Sequence, residues 1–281
     1  MKKVFIVIIS MLLILSLCAC GGNNNNNPDT SSEDPDISSE LPEGDSEETG
    51  GENDIRDDED MANIYQDYLE AWMSFSQNVL ENSFKEKTVA QHYGIVLNTE
   101  TGIYDYMRPL LYWGETLDDF ELSAKDAFLE LITHGGERYR EMDLQRESDT
   151  RYIMNLETNE GDQIYIQVNY YPDKNAVQLR AEENGEHALL FECVKIPGGY
   201  AAQYYYNAVV SATYGAQTKA LCAFKNIIFS TDGSAARFDD VEEPPSIIES
   251  VPGEQKFIDG ATHWLTIKNG EFTGELDGVA F

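Results

Sequence analysis

The side chains able to do chemistry in this chain are few and scattered. Its four histidines are His92, His134, His187 and His263, and no two stand in a His-x-x-x-His or His-Glu-x-x-His pair. That spacing is what sets two imidazoles on one helical face around zinc, so no zinc-hydrolase signature is present. No Gly-x-Ser-x-Gly nucleophile elbow and no phosphate-cradling Gly-x-x-x-x-Gly-Lys occurs either. Cys193 and Cys222 lie in apolar, strand-like runs, "HALLFECVKI" and "KALCAFKNIIF". Neither has a Cys-His motif beside it, which argues against a catalytic thiol. They read as a candidate disulfide of an exported protein or as two buried, free thiols behaving as small hydrophobes.

Paired carboxylates can hydrolyse glycosidic bonds, but the chain has 51 acids against 19 bases and a net charge of −32. Neighbouring acids in the sequence therefore carry no information, and no acid stands out as buried. The sequence nominates no catalytic residue, no metal ligand and no cofactor. A charge this negative repels polyanions, which argues against nucleic acid as a partner.

The aromatic excess is more suggestive. In "GGYAAQYYYNAVV" strand alternation sets Tyr204 and Tyr206 on one face and Tyr205 on the other. Rings that stack and hydroxyls that hydrogen-bond suit a glycan or a small apolar ligand, so Tyr204 and Tyr206 are candidate ligand contacts. Strand propensity and core filling explain the same pattern.

These residues need elements to position them. Ile64, Tyr68, Trp72, Phe75 and Val79 recur at spacings of three and four, which predicts a helix with one apolar face. Asp57 to Asp60 precede it where the helix dipole favours negative charge, with Asp60 as a candidate cap. A second helix is expected from Ser123 to His134, capped at Ser123 and stopped by Gly135-Gly136. Gly94 to Leu97 reads as a short strand, and Tyr112 and Trp113 as irregular aromatic packing. From Arg138 onward the period becomes two, as in Tyr152-Met154-Leu156, Ile164-Ile166-Val168 and Val177-Leu179. Turn signals separate the runs at Asn159-Glu160-Gly161, Pro172 to Asn175, Asn184-Gly185, Pro197-Gly198-Gly199, Asp232-Gly233 and Asn269-Gly270. The expectation is an α+β domain over residues 61–281. Its N-terminal helices precede a long antiparallel meander of about eight to ten strands, forming a curved sheet or half-barrel. Glu242 to Pro252 is expected to be a loop between late strands. The order of a lead helix and then hairpins resembles the half-barrel lipoprotein carriers of the LolA and LolB type. That resemblance is one of architecture without a shared motif, and it implies an apolar ligand on one sheet face.

The N-terminus addresses the cellular compartment. Lys2 and Lys3 precede an apolar run from Val4 to Leu17, shorter than the roughly twenty residues of a membrane-spanning helix. A charged start, a short apolar middle and small residues before a cut mark a secretory signal. Leu17-Cys18-Ala19-Cys20 resembles the lipobox of bacterial lipoproteins, with Leu at −3, a small residue at −1 and Cys at +1. The resemblance implies a signal peptide over residues 1–19, removed with Cys18, and a diacylglyceryl group on Cys20. Two acyl chains suffice for stable anchoring, so the mature protein is expected on the extracytoplasmic face of the cell membrane. Residues 20–60, with the run Asn23 to Asn27, three prolines and many acids, read as the lipidated start of a disordered tether. Together these features point to a lipid-anchored binding or carrier module without catalysis. A surface assembly factor is the first alternative and a carboxylate-dependent envelope hydrolase the second.

Overall fold

The alternation beginning near Arg138 builds one sheet. The computed structural model describes residues 56–85, 93–97, 103–107, 110, 139–213 and 216–281. Eleven antiparallel strands follow one another in chain order, each paired with its sequence neighbour. They are β1 (Tyr139–Ser148), β2 (Arg151–Thr158), β3 (Gln163–Tyr171), β4 (Ala176–Glu183), β5 (Glu186–Ile196), β6 (Gly199–Thr213), β7 (Ala216–Phe229), β8 (Asp232–Phe238), β9 (His263–Lys268), β10 (Glu271–Leu276) and β11 (Val279–Ala280). β1 and β11 are not joined, so the sheet stays open.

Among the described residues, helices are few. α1 (Arg56–Ser83) is long, whereas α2 (Tyr93–Leu97), α3 (Tyr104–Met107) and α4 (Glu254–Ile258) are single turns. The α1 helix already runs at Arg56, so residues 56–60 belong to it, and Asp60 lies inside the helix and not at its cap. Gly94 to Leu97 is helical, contrary to the strand expectation. A short apolar run is ambiguous by periodicity alone; here a single turn buries Val96 and Leu97 side by side. The helix expected over Ser123–His134, and Tyr112 and Trp113, lie outside the described residues.

The hairpin signals mostly mark the turns. Asn184-Gly185 and Asn269-Gly270 have left-handed backbones at both positions, as a type I′ turn requires. The same geometry at Asp277-Gly278 adds the short β11. Asp232-Gly233 is the exception: it starts β8, and the turn falls on Ser230-Thr231. Gly233 serves a different need, because a Cβ there would run into the backbone carbonyl of Ile227 on β7.

Registers fix what each face holds. Tyr204 lies opposite Phe191 on β5 and Phe224 on β7, and Met154 opposite Ile166 on β3. Cross-strand partners share a face, so this side carries an apolar belt that α1 covers. Ile64, Tyr65, Tyr68, Phe75 and Val79 of α1 are all buried. Tyr65 and Tyr68 pack on Phe191 at ring separations of 5.6 and 6.0 Å. Burying each large apolar side chain contributes about 1.5–3 kcal/mol, which explains why the helix seats here. The opposite face is crossed by residues 241–258, the expected Pro-rich loop together with α4. Ile247, Ile248 and Phe257 close over Ala176, Val194, Ala201 and Ile227 in a second buried cluster.

One acid is wholly buried beneath that strap, which charge composition did not reveal. Glu192 of β5 is 0% exposed. It accepts hydrogen bonds from Gln178 Nε2 (2.7 Å), Gln203 Nε2 (2.8 Å), Ser246 Oγ (2.7 Å) and the backbone N–H of Ile247 (2.9 Å). Four donors offset its desolvation, and two of them belong to the strap. Arg180 adds a surface tie, its guanidinium 2.6 Å from Glu243, and holds that carboxyl below the usual carboxylate range.

Candidate ligand-binding cleft

The type I′ turn at Asn184-Gly185 builds the wall of a cleft of about 540 Å³. Asn184 locks this turn: its Oδ1 accepts from the Gln163 N–H (2.9 Å) and its Nδ2 donates to Asp162 Oδ1 (2.9 Å). A two-residue turn sets Glu183 directly opposite Glu186 in the ladder, so two carboxylates meet at one end of the sheet. His187 follows on β5, its Nε2–H donating to the Tyr205 carbonyl (3.0 Å) with the two rings 5.0 Å apart. Tyr206 reaches the cleft from β6, while Ile103 and Tyr106 enclose it from the α3 segment. Tyr106 Oη donates to Glu183 Oε2 at 2.8 Å, leaving the other carboxylate oxygen open. Asn207 and Lys219 complete the rim, and both are exposed. The lining is mainly polar, with Ile103, Tyr106, Ala188 and Tyr206 as its apolar members, and the volume is within the range of small-ligand sites.

No family model matches this chain, and no curated protein and no solved structure is measurably similar to it. The residues themselves are therefore the only guide to chemistry.

Tyr206 and Tyr204 part company. Tyr206 is 2% exposed, stacked on Phe224 at 5.1 Å and 12°, and lines the cleft. Tyr204 is 5% exposed, packs on Phe191 at 4.8 Å and shares a 2.9 Å hydrogen bond with Tyr68 Oη. Asn226 Nδ2 donates to the same Tyr68 hydroxyl at 3.1 Å. Tyr204 is therefore a core residue that fastens α1, not a ligand contact.

A second polar cluster lies around Cys222. Its thiol donates to Asp239 Oδ1 at 3.2 Å, and Arg237 ties to the same carboxylate while stacking over Phe224. His263 Nδ1 accepts the Asp277 N–H (3.1 Å), leaving Nε2 facing Asp239 at 3.6 Å. Burial, and then the bond to Asp239, push the Cys222 thiol upward. A thiol held protonated is a poor nucleophile, so these residues pack and brace. Burial pushes the Cys193 thiol up as well.

The disulfide expected as one option between Cys193 and Cys222 is not formed; both are free and buried. Register explains it. Cys193 aligns with Ala202 and through it with Asn226, whereas Cys222 aligns with Tyr206. Two strand spacings and four residues of rise put them roughly 16 Å apart, far beyond bridging distance. Thiol counting on unfolded, non-reduced mature protein is expected to give two free thiols, and reductant is expected to leave the melting temperature unchanged. A drop in melting temperature with reductant would contradict the register.

His92 and His134 lie outside the described residues. Among the described residues there is no group of three His, Cys, Asp or Glu side chains arranged to hold a metal. None of the described helices is long and apolar enough to cross a membrane. Sequence reasoning passed over Glu183, Glu186 and Lys219. For the two glutamates a signal was present, since a two-residue Asn-Gly turn always sets its flanking residues opposite one another.

Proposed function

We propose that this protein is a lipid-anchored module of the extracytoplasmic face of a bacterial cell membrane. In this reading it binds a glycan-class ligand in the cleft beside the β4–β5 turn and does not catalyse its turnover. The anchor is the diacylglyceryl group on Cys20, and residues 21–55 serve as the spacer between bilayer and domain. The α+β half-barrel form belongs to the same reading, supported by α1 seated on one sheet face and the strap on the other.

The observation that carries the ligand reading is the cleft lining: the half-buried ring of Tyr106 beside the exposed polar side chains of Asn184, Glu186 and Asn207. Sugars are recognised by such combinations, rings stacking on the apolar face and polar groups meeting the hydroxyls. An apolar cargo is disfavoured because the sheet face that a half-barrel carrier would offer is filled by α1. Hydrolysis is disfavoured because a carboxylate pair divides into acid and base when one member sits in apolar surroundings. Here Glu186 is solvent-exposed and Glu183 is held by a tyrosine hydroxyl. An assembly role would call for a contiguous apolar patch; the exposed large hydrophobics among the described residues, Phe84, Leu221 and Val279, lie on separate elements.

The test is a chemical-shift titration with N-acetylglucosamine oligomers. Saturable shifts are expected at Ala188, Tyr206 and Asn207, and Asn207→Ala is expected to weaken binding about fivefold, the worth of one hydrogen bond of about 1 kcal/mol. Shifts spread over the surface without saturation would refute a cleft.

A further inference from the structure

The turn that adds β11 to the sheet is held by one imidazole. Asp277 and Gly278 are both left-handed, at φ 53° and 76°. A β-turn closes with a bond from its fourth N–H to its first carbonyl, so the N–H of its second residue has no partner within the hairpin. Here that N–H, of Asp277, donates to His263 Nδ1 at 3.1 Å. A ring nitrogen accepts only when it carries no proton, so this ring is neutral with its hydrogen on Nε2. His263 is 8% exposed, at the start of β9. Two carboxylates flank it: Asp239 Oδ2 lies 3.6 Å from Nε2, and Asp277 Oδ1 lies 3.9 Å from Nδ1. Asp277 therefore offers one nitrogen both a donor and an acceptor, its N–H to the neutral ring and its carboxylate to a charged one.

The neighbouring elements hold these groups in reach. The Asp239 N–H donates to Thr262 Oγ1 (3.0 Å), next to His263 in the chain. Asp239 Oδ1 is taken by Arg237 of β8 and the Cys222 thiol of β7, which leaves Oδ2 to the ring. Arg237 stands opposite His263 in the ladder, and its guanidinium is engaged by Asp239 and the Val209 carbonyl. Asp240 beside Asp239 is exposed. Glu275 of β10 pairs with Trp264 and so lies on the other face from His263. The α2 turn also packs on β8 and β9 and brings no residue that changes charge between pH 5 and 8.

We propose that His263 is a pH-operated latch on the β10–β11 turn, gripping the Asp277 backbone when neutral and the Asp277 carboxylate when protonated. Imidazole is the side chain whose charge changes between pH 5 and 8. The added proton goes to Nδ1 and makes it a donor, so the Asp277 N–H loses its acceptor. Rotation of the exposed Asp277 side chain then brings Oδ1 to Nδ1–H, while Nε2–H is drawn to Asp239 as a charge-assisted bond. β11 has two residue pairs with β10, continued by backbone bonds of 3.2 and 3.0 Å between Gly274 and Phe281. So short a hairpin has little stability of its own, and the latch sets how firmly residues 277–281 stay on the sheet edge. Phe281 depends on that hold: its ring lies 5.0 Å from Phe272, in the space that a Cβ on Gly274 would fill.

The experiment follows the His263 ring nitrogens and the Asp277 amide by NMR in the full-length protein from pH 8 to pH 5. At pH 8 the ring is expected as the Nε2–H tautomer. On acidification the Asp277 amide proton is expected to move upfield with the same midpoint as the ring. Its exchange, corrected for the intrinsic effect of pH, is expected to rise about fivefold, the worth of one hydrogen bond. His263→Asn keeps an acceptor oxygen near the place of Nδ1 without a titrating charge, and is expected to abolish the response. Asp277→Asn keeps the N–H and removes the carboxylate. It is expected to respond only at lower pH, and then to lose protection of the Phe281 amide, which the parent retains. Asp277 is exposed, so this variant is expected to fold like the parent and to decide the matter even where His263→Asn does not fold. An Nδ1–H tautomer at pH 8, a ring that stays neutral to pH 5, or an Asp277 amide indifferent to the ring's titration would each overturn the latch. So would a response that persists in His263→Asn, or an Asp277→Asn variant that titrates as the parent does.

Discussion

Glu192→Ala is expected to destabilise the domain by about 3–5 kcal/mol, since it deprives several neutral donors of their acceptor at about 1–3 kcal/mol for each one left buried and unpaired, and opens a cavity beneath the strap. Four donors converge on this carboxylate, and alanine leaves Gln178 Nε2, Ser246 Oγ and the buried Ile247 N–H without it, while Gln203 Nε2 keeps the Pro245 carbonyl at 3.1 Å. The strap would lose its central hold, since Ser246 and the Ile247 N–H have no other described acceptor than Glu192. For a domain of this size the loss corresponds to a fall in melting temperature on the order of 10 °C. Glu192→Gln preserves the shape but turns one acceptor into a donor, and it is expected to fall between parent and Glu192→Ala. Proteolysis should follow the same order, with cutting first within residues 241–253 as the strap lifts. Chemical denaturation of the three proteins measures this. A change below about 1 kcal/mol in Glu192→Ala would mean that the apolar cluster of Ile247, Ile248 and Phe257 holds the strap without help.

Cys20→Ala is expected to release the protein from the membrane or to leave it as an uncleaved precursor. Acyl chains give anchoring through about 0.8 kcal/mol per buried methylene, and alanine provides no sulfur to carry them. The rest of the molecule offers the bilayer little: its net charge of −32 opposes docking on anionic headgroups. Fractionation of cells making the variant should show soluble protein, or precursor that keeps residues 1–19 because lipid transfer precedes the cut. The mature parent protein should show a mass increment on Cys20 matching a diacylglyceryl group. Unchanged membrane attachment of a variant that has lost residues 1–19, or an unmodified residue 20 in the parent, would remove the lipoprotein reading.

These two residues mark opposite ends of what a sequence reveals. Cys20 is nominated by its neighbours alone, because the resemblance to a lipobox lies in a short linear pattern. The meander is nearly as legible. Alternation in Tyr152-Met154-Leu156 and Ile164-Ile166-Val168 sets side chains on alternate faces whatever lies beyond, and Asn184-Gly185 and Asn269-Gly270 force tight turns through their backbones. The amphipathic spacing of Ile64, Tyr68, Phe75 and Val79 likewise identifies α1. The pattern misled where a local signal had two meanings. Asp232-Gly233 reads as a turn, but its glycine answers a close approach of the neighbouring strand. Gly94 to Leu97 is too short for periodicity to choose between strand and helix.

By itself, then, the sequence determined the order of strands, most hairpin turns and the alternation of faces along each strand, all properties of neighbours along the chain. The tertiary structure alone decided which residues became functional candidates. Burial of Glu192 depends on a strap returning from residues 241–253. Tyr204 becomes core because α1 settles over it and Tyr68 meets its hydroxyl. Glu186 and Lys219 come to share a cleft across an intervening strand. Each is a contact between distant parts of the chain, set by how apolar faces close on one another, and local spacing carries no record of it.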